Sequence, residues 1–204
     1  MQNIKAVILD LGGVLLNIDY EKTRKAFACL GIEDFNAHYN QFKGSTLFDD
    51  LETGKIKEVD FYRAFREQTG LKTKDEQIRE AWNAMLLDFP SPRVQFLKDL
   101  RKKYRLFLLS NTNAIHHDEF QRHFRETSKL NSIDDLFDKA YYSHLIGSRK
   151  PETEPFEHIL KEQNLKAGET LFIDDTQSNL KGATALGIQT IHLQPPTKVE
   201  DLGL

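Results

Sequence analysis

Two hydrophobic periods alternate along the chain. Five short β-type stretches stand out, several of them nearly continuous apolar runs: Ile4 to Leu9, Arg105 to Leu109, Lys139 to Ser143, Thr170 to Ile173 and Gln189 to Leu193. Unbroken runs of this length suit strands covered on both faces. Between them apolar residues recur at helical spacing. Val94, Leu97 and Leu100 mark a helix over Arg93 to Lys103. Phe156, Ile159 and Leu160 mark another, with Pro155 in its first turn, where the missing N–H is harmless. Thr176 to Leu186 makes a third, and Gly187 suits its C-terminal stop. Strands alternating with helices predict an α/β fold built on a doubly wound, Rossmann-like parallel sheet.

One region departs from the alternation. From Tyr20 to Phe89 there are helix patterns and no strand. Segments 20–30, 34–43, 58–69 and 75–87 read as helices, separated by Gly31, Gly44, Gly54 and Gly70. The reading is a small helical bundle over 17–89, inserted after the first strand, so that the α/β core comprises 1–16 and 90–204. The stretch FPSPR (89–93) closes the insert, because proline breaks a helix interior yet Pro92 suits the start of the next helix. The C-terminal PPTKVEDLGL reads as a loop and a short closing turn.

Composition narrows the classes. The chain has 204 residues, 39% apolar and 29% charged, enough for one core with a small insert. Its net charge of −3 offers no basic field for nucleic acid. No window approaches the ~20 apolar residues of a membrane helix, and MQNIKAVILD lacks the order of a signal peptide. The expectation is a cytoplasmic protein with neither a nucleic-acid nor a membrane partner. Cys29 is the only cysteine, which excludes an intrachain disulfide and a thiolate-rich metal site. Among Ala26, Phe27, Ala28 and Leu30 it is expected to pack inside a helix.

In an open parallel sheet, ligands bind beyond the C-terminal strand ends. Here each end delivers polar residues. Asp10 follows the first strand; Ser110, Asn111 and Thr112 follow the second. Lys150, in GSRKPE, lies after the third, and Asp174 and Asp175 follow the fourth. Crowded carboxylates repel one another unless a cation neutralises them. Mg²⁺ fits, being hard and commonly held by a few carboxylates together with phosphate oxygens. A phosphate would complete the site, between Mg²⁺, the Lys150 ammonium, the Ser110 hydroxyl, the Asn111 amide and the N–H groups of the glycine turn. Asp10 would then face phosphorus as a nucleophile and form an aspartyl-phosphate. Gly12 and Gly13 let the backbone turn sharply beside the ligand.

At these residues the chain resembles the haloacid dehalogenase superfamily. ILDLGGVL, LLSNTN, GSRKPE and FIDDTQSNLKGATALGI are similar to its four motifs, in order, and 17–89 resembles its helical cap. The resemblance implies that Asp10 is the nucleophile, that Ser110, Asn111 and Lys150 hold phosphate, and that Asp10, the Gly12 carbonyl, Asp174 and Asp175 surround Mg²⁺. Asp175 is favoured as the direct metal ligand and Asp174 as acting through water. Asn179 is expected to orient the acidic loop. The implied substrate is a small phosphorylated molecule, selected by cap residues that face the site, with Phe42, Phe48, Tyr62 and Trp82 as aromatic candidates. Trp82, with Met85 and Leu86, reads first as core of the cap, and Arg149 as a surface residue or a supporting ion-pair partner.

Position 12 breaks the pattern. Phosphatases of this family usually carry a second aspartate there, which protonates the leaving oxygen and later activates water. General acid–base help is typically worth about 10²–10⁴ in rate. Glycine at this position predicts a slow enzyme, a substitute acid, or an easy leaving group such as an anomeric sugar hydroxyl. DLGGVLLNID also resembles the DLGN opening of the family's α-glucose-1-phosphate phosphatases. Asp19, His116 and His117 are the substitute acids considered, although the two histidines otherwise read as polar surface at the start of a helix. Two rivals stand beside a sugar-phosphate phosphatase. A 2-haloacid dehalogenase needs no metal, so the Asp174–Asp175 pair argues against it. A non-catalytic phosphometabolite-binding protein would keep the pocket without turnover.

Overall fold

The structure, a computed structural model, describes residues 3–32, 35 and 46–204. The expected helix over 34–43 therefore lies, apart from Phe35, outside the described residues, as do Phe42 and Gly44. Strands β1 (Ala6–Leu9), β2 (Arg105–Ser110), β3 (Lys139–Tyr142), β4 (Thr170–Asp174) and β5 (Gln189–His192) form one parallel sheet in the order β3-β2-β1-β4-β5. Successive residues of a strand face opposite sides, and both sides are covered. Ile8, Phe107, Tyr141 and Phe172 pack with Phe156 and Ile159 on one face. Leu9, Leu108 and Ile173 pack with Ile115, Phe120 and Phe124 on the other. This double burial is why the central strands β1, β2 and β4 read as nearly continuous apolar runs.

Register sets the rim. Leu9 pairs with Leu108 on one side and with Ile173 on the other. Asp10 and Asp174, each one residue further on, therefore emerge level with one another, and the Asp10 N–H still donates to Ile173 O at 2.9 Å. Around the sheet lie α5 (Ser91–Leu100), α6 (Ala114–Ser128), α7 (Ser143–Ile146), α8 (Glu154–Glu162) and α9 (Leu180–Ala185). The helix expected over Thr176 to Leu186 is split, with a 3₁₀ turn at Gln177–Asn179 leading into α9.

Between β1 and β2 lie α1 (Tyr20–Cys29), α2 (Leu47–Glu52), α3 (Glu58–Thr69) and α4 (Asp75–Asn83). Their interior is aromatic. Phe27 stacks on Phe35 at 4.6 Å, and Trp82 lies 5.0 Å from Phe48 and 6.5 Å from Phe61. Phe48, Tyr62 and Trp82 are all buried there. Three expectations need correction. Helix α4 stops at Asn83, not at 87, because Met85 to Leu87 run extended beside Asn17 to Asp19. Asp19 N–H donates to Met85 O at 2.9 Å, Leu87 N–H to Asn17 O at 3.0 Å and Asn17 N–H to Asp88 O at 3.0 Å. Helix α2 was not expected; it is one short turn and a half, entered through Thr46 at φ 59°. Cys29 is exposed; two residues beyond buried Phe27, it falls on the opposite side of α1. Among the described residues no helix is long and apolar enough to cross a membrane.

Candidate active site

The β1 strand ends in a tight turn. Leu15 and Leu16 both donate to Leu11 O at 2.8 Å, and Gly13 N–H donates to Leu16 O at 2.9 Å. Gly13 sits at φ +74°, and a β-carbon there would lie 2.1 Å from Asp175 Oδ2. Backbone handedness and the neighbouring carboxylate both demand glycine. Gly12 is different: a β-carbon there would meet only Ile18, at 3.4 Å and beyond.

Lys150 is the centre of the rim. Its Nζ lies 2.6 Å from Asp10 Oδ1 and 2.7 Å from Asp174 Oδ2. Asp10, Lys150 and Asp174 are 7%, 1% and 0% exposed, so these charges are withdrawn from water. A buried ion needs its partners fixed in place, and the surrounding chain fixes them. Asn111 Nδ2 donates to Lys150 O at 2.8 Å, while Lys150 N–H donates to Asn111 Oδ1 at 2.9 Å. The Asn111 side chain is thus committed to the lysine loop. Ser110 ends β2, buried and level with Tyr142. Beyond it, Thr112 N–H donates to Ser143 Oγ at 2.9 Å, and Ser143 Oγ donates back to Thr112 O at 2.8 Å. Asp174 Oδ1 accepts from Thr176 N–H at 2.8 Å and from Asn179 Nδ2 at 3.1 Å. Asp175 is half-buried; its Oδ1 accepts from the Thr176 hydroxyl at 3.2 Å.

One oxygen from each of Asp10, Asp174 and Asp175 falls within 4.8 Å of the others. Burial raises the Asp10 carboxyl above its ordinary range; Lys150 pulls it down, and Asp174 pushes it further up. Burial and then the Asp174 charge also raise Asp175. For Lys150, burial works to strip the proton, but Asp10 and Asp174 together hold its pKa above the ordinary value. Three carboxyl groups therefore share one ammonium. Hard oxygen donors with an excess of negative charge form a donor set that fits a divalent cation.

The three substitute acids are engaged by other partners. The Asp19 side chain caps α1, accepting from Glu21 N–H at 2.9 Å. His116 is buried, not surface: its ring stacks on Trp82 at 4.9 Å, and its Nδ1 lies 2.8 Å from Asn83 Oδ1. Burial lowers its pKa to about 3, so it carries no proton to give at neutral pH. The reason is packing, since the first turn of α6 lies beneath α4. His117 packs edge-on against Phe120 and Tyr142. Arg149 turns out to be an ion-pair partner: it meets Asp49, and its Nη2 lies 3.1 Å from Glu52 Oε2. Glu52 was not singled out by its sequence. No local pattern in LETGKI marks a carboxylate that pairs so far along the chain.

The profile of the haloacid dehalogenase-like hydrolases matches residues 4–187. The chain is 31% identical to the D-ribitol-5-phosphate phosphatase of Bacteroides thetaiotaomicron over 92% of its own length and 90% of that protein's. It is 28% identical to a sesquiterpene phosphatase of Aspergillus oryzae, over 93% and 89%. Among solved structures, a HAD family enzyme of B. thetaiotaomicron in complex with magnesium and inorganic phosphate superposes with a TM-score of 0.89 at 34% identity, covering 98% of this chain and 100% of that one.

Proposed function

We propose that this chain, which belongs to the haloacid dehalogenase-like hydrolase family, is a Mg²⁺-dependent phosphatase that hydrolyses a small sugar or sugar-alcohol phosphate through an aspartyl-phosphate. Its reaction class is phosphoric monoester hydrolysis, in keeping with relatives that match nine-tenths of its length. The observation that carries the finer reading is the Lys150 ammonium seated between Asp10 and Asp174, with Asp175 alongside.

The chemistry starts with the Asp10 carboxylate, which attacks phosphorus. The ester P–O bond breaks, and the alcohol leaves with a proton. Water then attacks the aspartyl-phosphate, releasing inorganic phosphate and restoring Asp10. Lys150 and the Ser110 hydroxyl hold phosphoryl oxygens; Asn111 contributes through its main chain, because its side-chain amide is engaged with Lys150. Mg²⁺, held by Asp10, Asp175 and the Gly12 carbonyl, would neutralise the charge that gathers on the phosphoryl group. Asp174 has both oxygens hydrogen-bonded already, which favours contact through water. Segment 17–89 acts as the cap over this rim, between the two pieces of the core, 1–16 and 90–204. A lone thiol and a phosphorylated substrate support a cytoplasmic setting.

A screen of phosphate monoesters with and without Mg²⁺ tests the reading. Phosphate release that requires the metal, and is absent in Asp10→Asn, is the expected result. Binding of phosphosugars without any turnover, p-nitrophenyl phosphate included, would instead favour the non-catalytic rival, and halide release from 2-haloacids in EDTA would favour the dehalogenase.

A further inference from the structure

Glycine at position 12 leaves a proton-transfer role without an owner, and the insert supplies a candidate. We propose that Glu52 takes that role, protonating the departing alkoxide and then accepting a proton from the attacking water. The inference rests on the phosphatase reading above.

Geometry holds Glu52 against the residue that precedes Lys150. It is the last residue of α2, and the loop after it is seated on the core. Gly54, at φ +68°, leaves no room for a side chain, since a β-carbon there would lie 2.2 Å from His144 O. From the core, Arg149 reaches across to Asp49 and Glu52. Arg149 is the residue before Lys150, whose ammonium touches the attacking carboxylate at 2.6 Å. Glu52 is thus tied to the chain segment that holds the reacting charge.

The environment of the carboxyl suits a proton carrier. Glu52 Oε2 is closed off from solvent and has no hydrogen bond of good geometry, although Arg149 lies close. Burial raises the Glu52 pKa above its ordinary value. Arg149 and then Lys150 act against this, and Asp49 adds to it. A carboxyl raised above its ordinary range gives up a proton less readily and takes one back more readily than an exposed one. The other candidates are engaged: Asp19 caps a helix, His116 is held neutral, His117 packs against Phe120 and Tyr142, and Asp10, Asp174 and Asp175 share the cation site.

The steps balance. Asp10 forms a bond to phosphorus as the P–O ester bond breaks, and the leaving oxygen takes the Glu52 proton to give a neutral alcohol. The Glu52 carboxylate then removes a proton from the water that attacks phosphorus, so that Glu52 regains its proton as Asp10 and phosphate are released. Arg149 acts as a positioning residue that holds the carboxylate between the two steps.

The test separates leaving groups. Glu52→Gln, Glu52→Asp and the wild type are compared, with Mg²⁺, on D-ribitol 5-phosphate, a poor leaving group, and on p-nitrophenyl phosphate, whose phenolate departs without help. In single turnovers Glu52→Gln is expected to lose on the order of 10²-fold or more on the alkyl ester. Its initial burst of p-nitrophenol, which reports phosphoryl transfer to Asp10 and certifies the fold, is expected to survive. Glu52→Asp should recover part of the loss. Equal loss on both esters, or a change in KM alone, would make Glu52 a structural clasp and overturn the proposal. A wild type inert towards both esters would instead remove the phosphatase reading, and this inference with it.

Discussion

Arg149 and Lys150 are consecutive, and each lies between two carboxylates, yet they belong to different parts of the molecule. Lys150 joins Asp10 and Asp174, both carried by the sheet, and its side chain is 1% exposed. Arg149 joins Asp49 and Glu52, both on α2, and its side chain is 30% exposed. Strand register and the Asn111 clamp fix the partners of Lys150. The partners of Arg149 ride on a six-residue helix. An exposed ion pair is worth about 0–1 kcal/mol, whereas removing one member of a buried pair typically costs ~3–5 kcal/mol. The rim is therefore built to stay, whereas the Arg149–Asp49 contact in the seam beside it, on a largely exposed aspartate, contributes little. A second half of the seam is uncharged: Trp82 of the insert stacks on His116 of the core.

If rim and seam are separate in this way, damage to the rim should strike chemistry first. Asp10→Asn is expected to lower turnover on the order of 10⁴-fold or more while leaving the circular dichroism spectrum unchanged; retained turnover would remove Asp10 from the nucleophile role. Gly13→Ala tests the same region through the backbone. The new methyl group occupies the place of Asp175 Oδ2, and displacing a site group by ~1 Å can cost on the order of 10²-fold in rate. Wild-type kinetics in that variant would show that the Asp175 position is unimportant.

Damage to the uncharged half of the seam, where Trp82 stacks on His116, should strike stability instead. Trp82→Ala is expected to reduce unfolding free energy by about 3–5 kcal/mol, measured by urea titration, with rim chemistry preserved at low temperature. Loss of turnover without loss of stability would erase the distinction. The smallest effect comes from His116. Its folded pKa, about 3, lies below the ~6.5 of an unfolded histidine. The unfolded chain therefore binds a proton first as pH falls. The contribution of His116 is complete above pH ~6.5 and is lost as pH falls toward 3, at up to about 1.4 kcal/mol per pH unit. Between pH 6.5 and 5, His116→Gln should flatten the slope of stability against pH relative to the wild type, in which the raised carboxyls titrate equally. An unchanged slope would mean that the ring is not buried neutral.

The rim was legible in the sequence because its parts end strands, and the central strands are nearly continuous apolar runs. All five emerged within two residues of their expected bounds. Asp10, Lys150, Asp174 and Asp175 could be brought together by topology alone. The seam was not legible, because nothing local encodes it. Helix α2 is too short to show a period, and the pairing of Glu52 with Arg149 depends on how α2 docks. His116 read as surface because a polar residue opening a helix is usually solvated; here Asn83 and Trp82 cover it. Arg149, read as surface or supporting partner, proved to be the link between the two regions.

Asn17 and Asp19 run beside Met85 and Asp88 as a short two-strand ribbon, so the chain leaves the sheet and returns to it through one doorway. Whatever lies beyond that doorway can be lengthened, shortened or exchanged while the threshold keeps its shape. Evolution could retarget such a scaffold to new molecules by rewriting the room and leaving the frame alone.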